Sequence, residues 1–408
     1  MKYSAEEVMQ YVKEADVKFI RLAFCDVLGR QKNIAIMPRE LERAFSYGIA
    51  IDASAIAGFG GDVRSDLLLR PDPSSLVGLP WRSENGRVVR MFCEIIKPDG
   101  TPFERDTRKI LKQAVAEAEQ QGCSFSFGPE IEFYLFQTDE SGAPTKIPCD
   151  QAGYMDIAPD DKGENIRREI CLTLEKMGVR PESSHHEEGP GQNEIDFRYS
   201  DPISAADNAV TFCAVVKAIG ARNGFSADFS PKPLANAPGS GMHINLSVQS
   251  ADGRDLLPSV LAGILEKIPD MTVFLNPCEE SYQRLGAHKA PGYLSWSSEN
   301  RSQLIRIPAT PDNARRAELR SADPMANPYI AFALLIYAGL HGIKKGLSLP
   351  SPADFSFYSA PPELLAQYQK LPDSLAAAKK LGANSPFLAA HLPDSLIRFY
   401  CENTKHLI

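Results

Sequence analysis

The chain of 408 residues has no surplus of positive charge: 44 Lys and Arg stand against 52 Asp and Glu, a net charge of -8. That balance argues against nucleic acid or an anionic membrane as partner and favours small substrates. Long apolar runs are missing too, since the longest, 329–340, is too short to cross a bilayer. The opening, Met1 to Glu7, is polar and lacks the apolar core of a signal peptide. Eight cysteines (Cys25, Cys93, Cys123, Cys149, Cys171, Cys213, Cys278, Cys401) are scattered without close spacing. No disulfide framework is written there, and reduced thiols in a cytoplasm are the expectation. Neither a His-Glu-x-x-His nor a Cys-x-x-Cys occurs, which removes the usual signatures of zinc. Internal repeats and low-complexity tracts are absent as well.

What is present reads as an ordinary globular protein, 43% hydrophobic and 24% charged, long enough for two or three domains. Residues 1–104 form a smaller unit. It has a first helix, a strand over 17–24, a turn at Gly29, a strand over 32–37, a helix begun by Pro38 and a strand over 88–96. Inside it, 48–61 is rich in small residues and poor in acids apart from Asp52, which predicts a loop. The turn-rich 97–102 marks a boundary, and residues 105–408 form the second unit. There, helices near 106–121, 163–177 and 203–223 alternate with short strands. The stretch 324–346 is apolar on every side and predicts a buried helix, followed after Leu347 by several Pro-led helices.

Chemistry concentrates around Gly128-Pro129-Glu130-Ile131-Glu132-Phe133-Tyr134-Leu135-Phe136. The pattern predicts a strand, on which Glu130 and Glu132 share a face roughly 7 Å apart. Alone, such a pair is usually the wet face of a half-buried sheet. Three more clusters follow in strand contexts: His185-His186-Glu187 with Gln192-Asn193-Glu194, Gly239-Ser240-Gly241-Met242-His243, and Arg316-Ala317-Glu318-Leu319-Arg320. Five carboxylates and one imidazole converging in one pocket would repel one another unless cations neutralise them. About two divalent ions would balance them, and oxygen ligands with one imidazole suit Mg²⁺ or Mn²⁺.

These clusters, in this order, resemble the glutamine synthetase family. The likeness includes Ile51-Asp52-Ala53-Ser54, Pro231-Lys232-Pro233, Asn300-Arg301-Ser302 and Ala326-Asn327-Pro328-Tyr329, so it covers nearly the whole chain. It implies an α+β fold: a small N-terminal β-grasp-like domain, and a larger catalytic domain with an antiparallel sheet flanked by helices. It implies an ATP-dependent ligase that phosphorylates the γ-carboxylate of glutamate and lets ammonia displace the phosphate. The resemblance assigns Glu132, Glu187 and Glu194 to one metal ion, and Glu130, His243 and Glu318 to another. Arg301, Arg306 and Arg320 match the phosphate-binding arginines, and planar guanidinium groups suit that task. Asn245 and Ser247 share the His243 face of a strand and match ATP contacts. Arg284, with Gly239, matches the grip on the amino acid, while Asp52, Asp66 and Tyr154 match the surroundings of the amine. A homo-oligomer is implied, a hexameric ring or a dodecamer with active sites between subunits. The ending Lys405-His406-Leu407-Ile408 is shorter than in bacterial members, which favours the single ring.

The chain departs from the family pattern in two places that matter. Lys289, in His288-Lys289-Ala290-Pro291, stands where the family's flap carries a glutamate that helps deprotonate ammonium. A cation there opposes holding another cation, although a desolvated lysine would serve as a base. Pro238 stands where an asparagine touches the substrate. Three readings follow: a glutamine synthetase, a γ-glutamylamine synthetase for a polyamine or methylamine, and a non-catalytic ring-forming relative. Complete metal-ligand positions argue against the last.

Overall fold

The computed structural model describes residues 3–60, 65–80, 86–287, 289–308 and 315–402. Gly61, His288 and the ending 405–408, discussed above, lie outside them. The chain divides into two compact units, Met1–Ile110 with Leu172–Arg180, and Leu111–Cys171 with Pro181–Ile408.

The first unit opens with α1 (Ala5–Glu14), held at its start by a capping box between Ser4 and Glu7. Then come β1 (Val17–Cys25), β2 (Gln31–Ile36), α2 (Leu41–Ser46), β3 (Ile49–Asp52), β4 (Asp66–Pro71), β5 (Val77–Gly78) and β6 (Arg87–Ile96). They form one sheet in the order β2-β1-β6-β4-β3, with β5 added on β6. The neighbours β1 and β6 run parallel and the other pairs antiparallel. Strand β3 corrects the expected loop over 48–61. Ile49 pairs with Leu69 and Asp52 with Asp66, so the β-branched Ile49 and Ile51 form a strand against β4 within a stretch that is otherwise rich in small residues. Beyond it, the Asp52 carboxylate accepts from the Ser54 N–H at 2.9 Å and caps a short 3₁₀ turn.

After α3 (Thr107–Gln120), which like α4 (Glu164–Lys176) is divided between the two units, the second unit has β7 (Cys123–Thr138), β8 (Pro144–Pro148), β9 (Pro181–His186), β10 (Gln192–Phe197), α5 (Pro202–Arg222), β11 (Phe225–Asp228) and β12 (Met242–Ser250). Next are α6 (Leu257–Leu275), α7 (Glu279–Arg284), β13 (Trp296–Ser297), β14 (Ile305–Arg306), β15 (Ala317–Leu319) and α8 (Pro328–Lys345), with short C-terminal helices. The sheet runs β13-β14-β15-β12-β7-β10-β9, and β8 and β11 also pair with β7. All its pairs are antiparallel except β13 with β14.

Alternation along the 16-residue β7 sorts its two faces. One carries Phe127 and Phe133 to the helices, where Phe127 stacks on Phe332 of α8 at 4.5 Å and Phe133 meets Phe212 of α5 edge-on at 5.9 Å. The other carries Glu130, Glu132 and Tyr134. Helix α8 starts with the Asn327 cap and Pro328, ends at left-handed Gly346, and is buried nearly throughout, as its all-round apolar pattern predicts. Helix α5 is long and apolar enough to cross a membrane by length and composition, yet its apolar residues lie in the core. Helix α6, unforeseen from sequence because Pro269 interrupts its pattern, packs on α8 through Gly263 and Gly342. A Cβ on Gly342 would stand 1.9 Å from the Ser259 carbonyl oxygen, so only glycine permits this approach.

Candidate active site

Register places carboxylates on adjacent strands of the second sheet. Glu194 of β10 lies opposite Glu132 of β7, and Asp196 opposite Glu130. On the other flank, His243 of β12 lies opposite Glu130. Because partners on neighbouring strands share a face, the sheet itself gathers the acids. The hairpin between β9 and β10 adds Glu187, and β15 adds Glu318.

Glu130, Glu132, Glu187, Glu194 and His243 line a cavity of about 300 Å³ together with Arg284, Arg301 and Arg320, while Asp196 and Glu318 lie outside its lining. Tyr154, Gly239 and Lys289 line it too, as do Glu188, Gln192 and Pro238, which the sequence reading had not assigned to binding. Close backbone approach explains the Gly-Ser-Gly run. A Cβ on Gly239 would meet the Pro231 carbonyl oxygen at 2.4 Å, and one on Gly241 would meet Arg284 Nη2 at 2.5 Å and His243 Nε2 at 2.9 Å. The segment clamps Glu132, whose Oε2 accepts from the Gly241 N–H at 2.6 Å. Pro238 contributes through its carbonyl, which accepts from the Tyr134 hydroxyl at 2.6 Å.

Crowding of like charge shows in the protonation of these acids. Burial and the neighbouring Glu187 push Glu132 up to about 7. Burial and Glu132 push Glu194 well above the usual range. Glu187 goes the other way: burial raises it, but hydrogen bonds from His185 and the Glu188 N–H outweigh that. Burial and the nearby Arg320 hold His243 well below its ordinary value, so its imidazole is neutral and free to donate a lone pair. Glu318 is 1% exposed and paired with Arg320 and, at 2.5 Å, with Arg306 Nε; its Oε1 lies 3.7 Å from His243 Nδ1.

Donor atoms of Glu130, Glu194 and His243 lie within 4.8 Å of one another, as do those of His185, Glu187 and Glu194. Glu194 thus belongs to both groups, and His185 joins a set from which the sequence reading omitted it. Oxygen donors with a neutral imidazole fit a hard divalent cation, and the raised Glu132 and Glu194 show positive charge wanting there. A third group, Asp150, Asp161 and His186, is buried and internally satisfied. His186 Nε2 bonds Asp150 Oδ1 at 2.9 Å and Nδ1 bonds the Glu187 carbonyl at 2.6 Å, while Arg167 grips Asp161. With acceptors at both nitrogens, His186 is an imidazolium, raised despite its burial by the Asp150 hydrogen bond. It ties the strand end bearing Glu187 to the 149–162 loop bearing Tyr154.

A second cavity, about 420 Å³, holds Asn245 and Ser247 together with Tyr199, Arg254 and Arg316. Asn245 Nδ2 also donates to Glu130 Oε1 at 2.7 Å, which links the two cavities. Arg306 lines neither, being turned to Glu318. Arg284 is 4% exposed and held by the carbonyls of Ser321 and Arg320. Lys289 is 52% exposed and ion-paired with Glu188, which removes the desolvation a lysine base requires. Asp52 and Asp66 face each other across β3 and β4 in the first unit, and line neither cavity.

A sheet whose acids gather beside arginines, next to a second polar cavity, fits the ATP-dependent carboxylate–amine ligases that the clusters resemble. Family profiles agree: the one described as glutamine synthetase, catalytic domain, matches residues 104–406, and the glutamine synthetase beta-Grasp domain matches 16–98. Among curated relatives, the glutamine synthetase of Clostridium saccharobutylicum is 45% identical over 372 residues, 88% of this chain and 84% of that protein. That of Methanosarcina mazei is 46% identical over 367 residues, 86% and 82% of the two chains. A solved GmaS complex with ADP superposes with a TM-score of 0.87 at 27% identity, covering 96% of this chain and 93% of that one. The chain belongs to the glutamine synthetase family. Members of this family generally use ATP and divalent metal, act on small molecules and assemble into oligomers.

Proposed function

We propose that the protein makes glutamine from glutamate, ammonia and ATP. The observation that carries this reading is the cavity in which strand register gathers the acids and one neutral histidine beside Arg284, Arg301 and Arg320. Glu132, Glu187 and Glu194 would hold one Mg²⁺ or Mn²⁺, and Glu130, His243 and Glu318 another. Such ions, when bound, clamp phosphate oxygens and neutralise their charge.

The chain's own side chains account for the remaining needs. Asn245 and Ser247, which line the second cavity, bind the nucleotide, and the related GmaS solved with ADP supports nucleotide use in general. Arg284 and the Gly239 backbone hold the amino acid with its γ-carboxylate toward the γ-phosphate. A γ-carboxylate oxygen forms the bond to phosphorus as the bond to ADP breaks; Arg301 and Arg320 stabilise the moving charge, while Arg306 acts through Glu318, with which it is paired. The amine nitrogen then bonds the carbon of the γ-carboxyl group, the bond from that carbon to the phosphate oxygen breaks, and the nitrogen sheds a proton. Asp52, supplied by a neighbouring copy in a hexameric or dodecameric ring, takes that proton, with Asp66 and Tyr154 around the amine. Residues 1–104 and 105–408 are the proposed domains, and the cytoplasm the proposed compartment.

A second reading, amide formation with an organic amine, is favoured by Lys289 at the cavity mouth. Phosphate release from ATP with Mg²⁺ and glutamate, comparing ammonium with primary amines, tests both readings. Release with ammonium as the preferred acceptor supports the first. Absence of release with every acceptor overturns both.

A further inference from the structure

Glu188 has no part in the chemistry above, yet it lines the same cavity. It follows Glu187 in the hairpin after β9, with its side chain 39% exposed. Its Oε1 receives the Lys289 ammonium in an ion pair that spans two segments 101 residues apart. Lys289 sits at φ 66, a left-handed conformation that a side-chain-bearing residue adopts only when its surroundings hold it there. That turn places the ammonium 5.8 Å from the centre of the Tyr154 ring. Tyr154 is itself set edge-on against His185 at 5.4 Å.

A lysine side chain is a primary alkylammonium. The cavity mouth therefore already displays one such group held between a carboxylate and an aromatic ring, the two features that recognise it. An ion pair this exposed is weak, at most about a fivefold preference over its open state, so a soluble amine can compete for the position. We propose that Glu188 and Tyr154 form a subsite for the ammonium group of a primary alkylamine or α,ω-diamine, and that Lys289 is an internal occupant the amine displaces. This rests on the amide-ligase reading and names a class of acceptor for it beside ammonia. In a diamine, one nitrogen stays charged on Glu188 while the other, neutral, attacks the carbon of the γ-carboxyl group as its bond to phosphate oxygen breaks.

The test uses the full-length protein with ATP, Mg²⁺ and glutamate, and compares ammonium with 1,4-diaminobutane. The diamine is expected to support phosphate release as an acceptor beside ammonium. Glu188→Gln should raise the diamine KM about tenfold or more relative to the ammonium KM, with kcat for the diamine little altered. Lys289→Met, which empties the subsite, should lower the diamine KM two- to fivefold. Calorimetric titration of 1,4-diaminobutane into the protein with glutamate bound supplies a readout independent of turnover, and its heat should vanish in Glu188→Gln while the melting temperature holds. Turnover of ammonium without turnover or binding of the diamine rejects the subsite and leaves the ligase reading standing, as does a parallel shift of both KM values in Glu188→Gln. If no acceptor releases phosphate, the ligase reading fails, and the titration alone decides whether the subsite exists.

Discussion

At the scale of single residues, the most consequential pair is one that no motif announced. His186 and Asp150 are 0% and 1% exposed at their side chains and bonded at 2.9 Å. Removing one partner leaves the other charged and buried, so Asp150→Asn and His186→Asn should each cost about 3–5 kcal/mol, read by denaturant unfolding. The pair also sets a pH window. Asp150 is raised by burial but held below its ordinary 3.8 by His186 and backbone N–H groups, so its contribution is lost as pH falls through the native value. His186 is lowered by burial but raised overall above 6.5, so its contribution is lost as pH rises through the native value. Between 3.8 and 6.5 both contribute in full. Glu132 and Glu194 behave oppositely to Asp150. Because Glu132 binds its proton up to about 7, against 4.5 unfolded, the native state holds more protons and loses stability as pH rises through that interval. Thermal melts from pH 5 to 8 should show this decline without divalent cation and a smaller one with Mg²⁺, and Mg²⁺ affinity should rise over the same range. Equal declines with and without Mg²⁺ would remove the cavity's claim to bind it.

At the scale of elements, β7 was legible because aromatic and acidic residues alternate along it, and only a strand turns that alternation into two faces. Helix α8 was legible for a related reason: an apolar run that starts at Pro and ends at Gly has no polar face to expose. What escaped the sequence were elements whose reasons lie in a partner. Strand β3 exists because β4 pairs with it, and α6 exists despite Pro269 because its apolar surface is buried against α8. The crossing of α6 and α8 is set by glycines, and Gly342→Ala forces a methyl against the Ser259 carbonyl. A loss of about 1–3 kcal/mol, or more where neither helix can shift, is expected in thermal or denaturant unfolding. Phe332→Ala, which removes the ring stacked on Phe127, should cost about 3–5 kcal/mol.

At the scale of the whole molecule, the proposed chemistry divides its residues between copies of the chain. Asp52 and Asp66 stand on exposed strand positions of the first unit, while the metal-type ligands and arginines stand in the second. If a ring brings the first unit of one copy to the cavity of the next, Asp52→Asn and Glu132→Gln proteins, each inactive alone, should regain activity when unfolded together and reassembled. Absence of recovery in a mixed ring, or a folded monomer with full turnover, would place the whole site within one chain. The chain's residue types and their order by themselves determined the family, the strand that organises the site and nearly all its acids, because ligand chemistry demands particular side chains at particular spacings. Only the tertiary structure decided which acids meet. Glu194 reaches both donor groups, Arg306 turns to Glu318, His186 braces Glu187, and Lys289 pairs with Glu188. Those relations depend on strand register and on loops distant in sequence, where closeness is a property of the fold and leaves no local pattern to read.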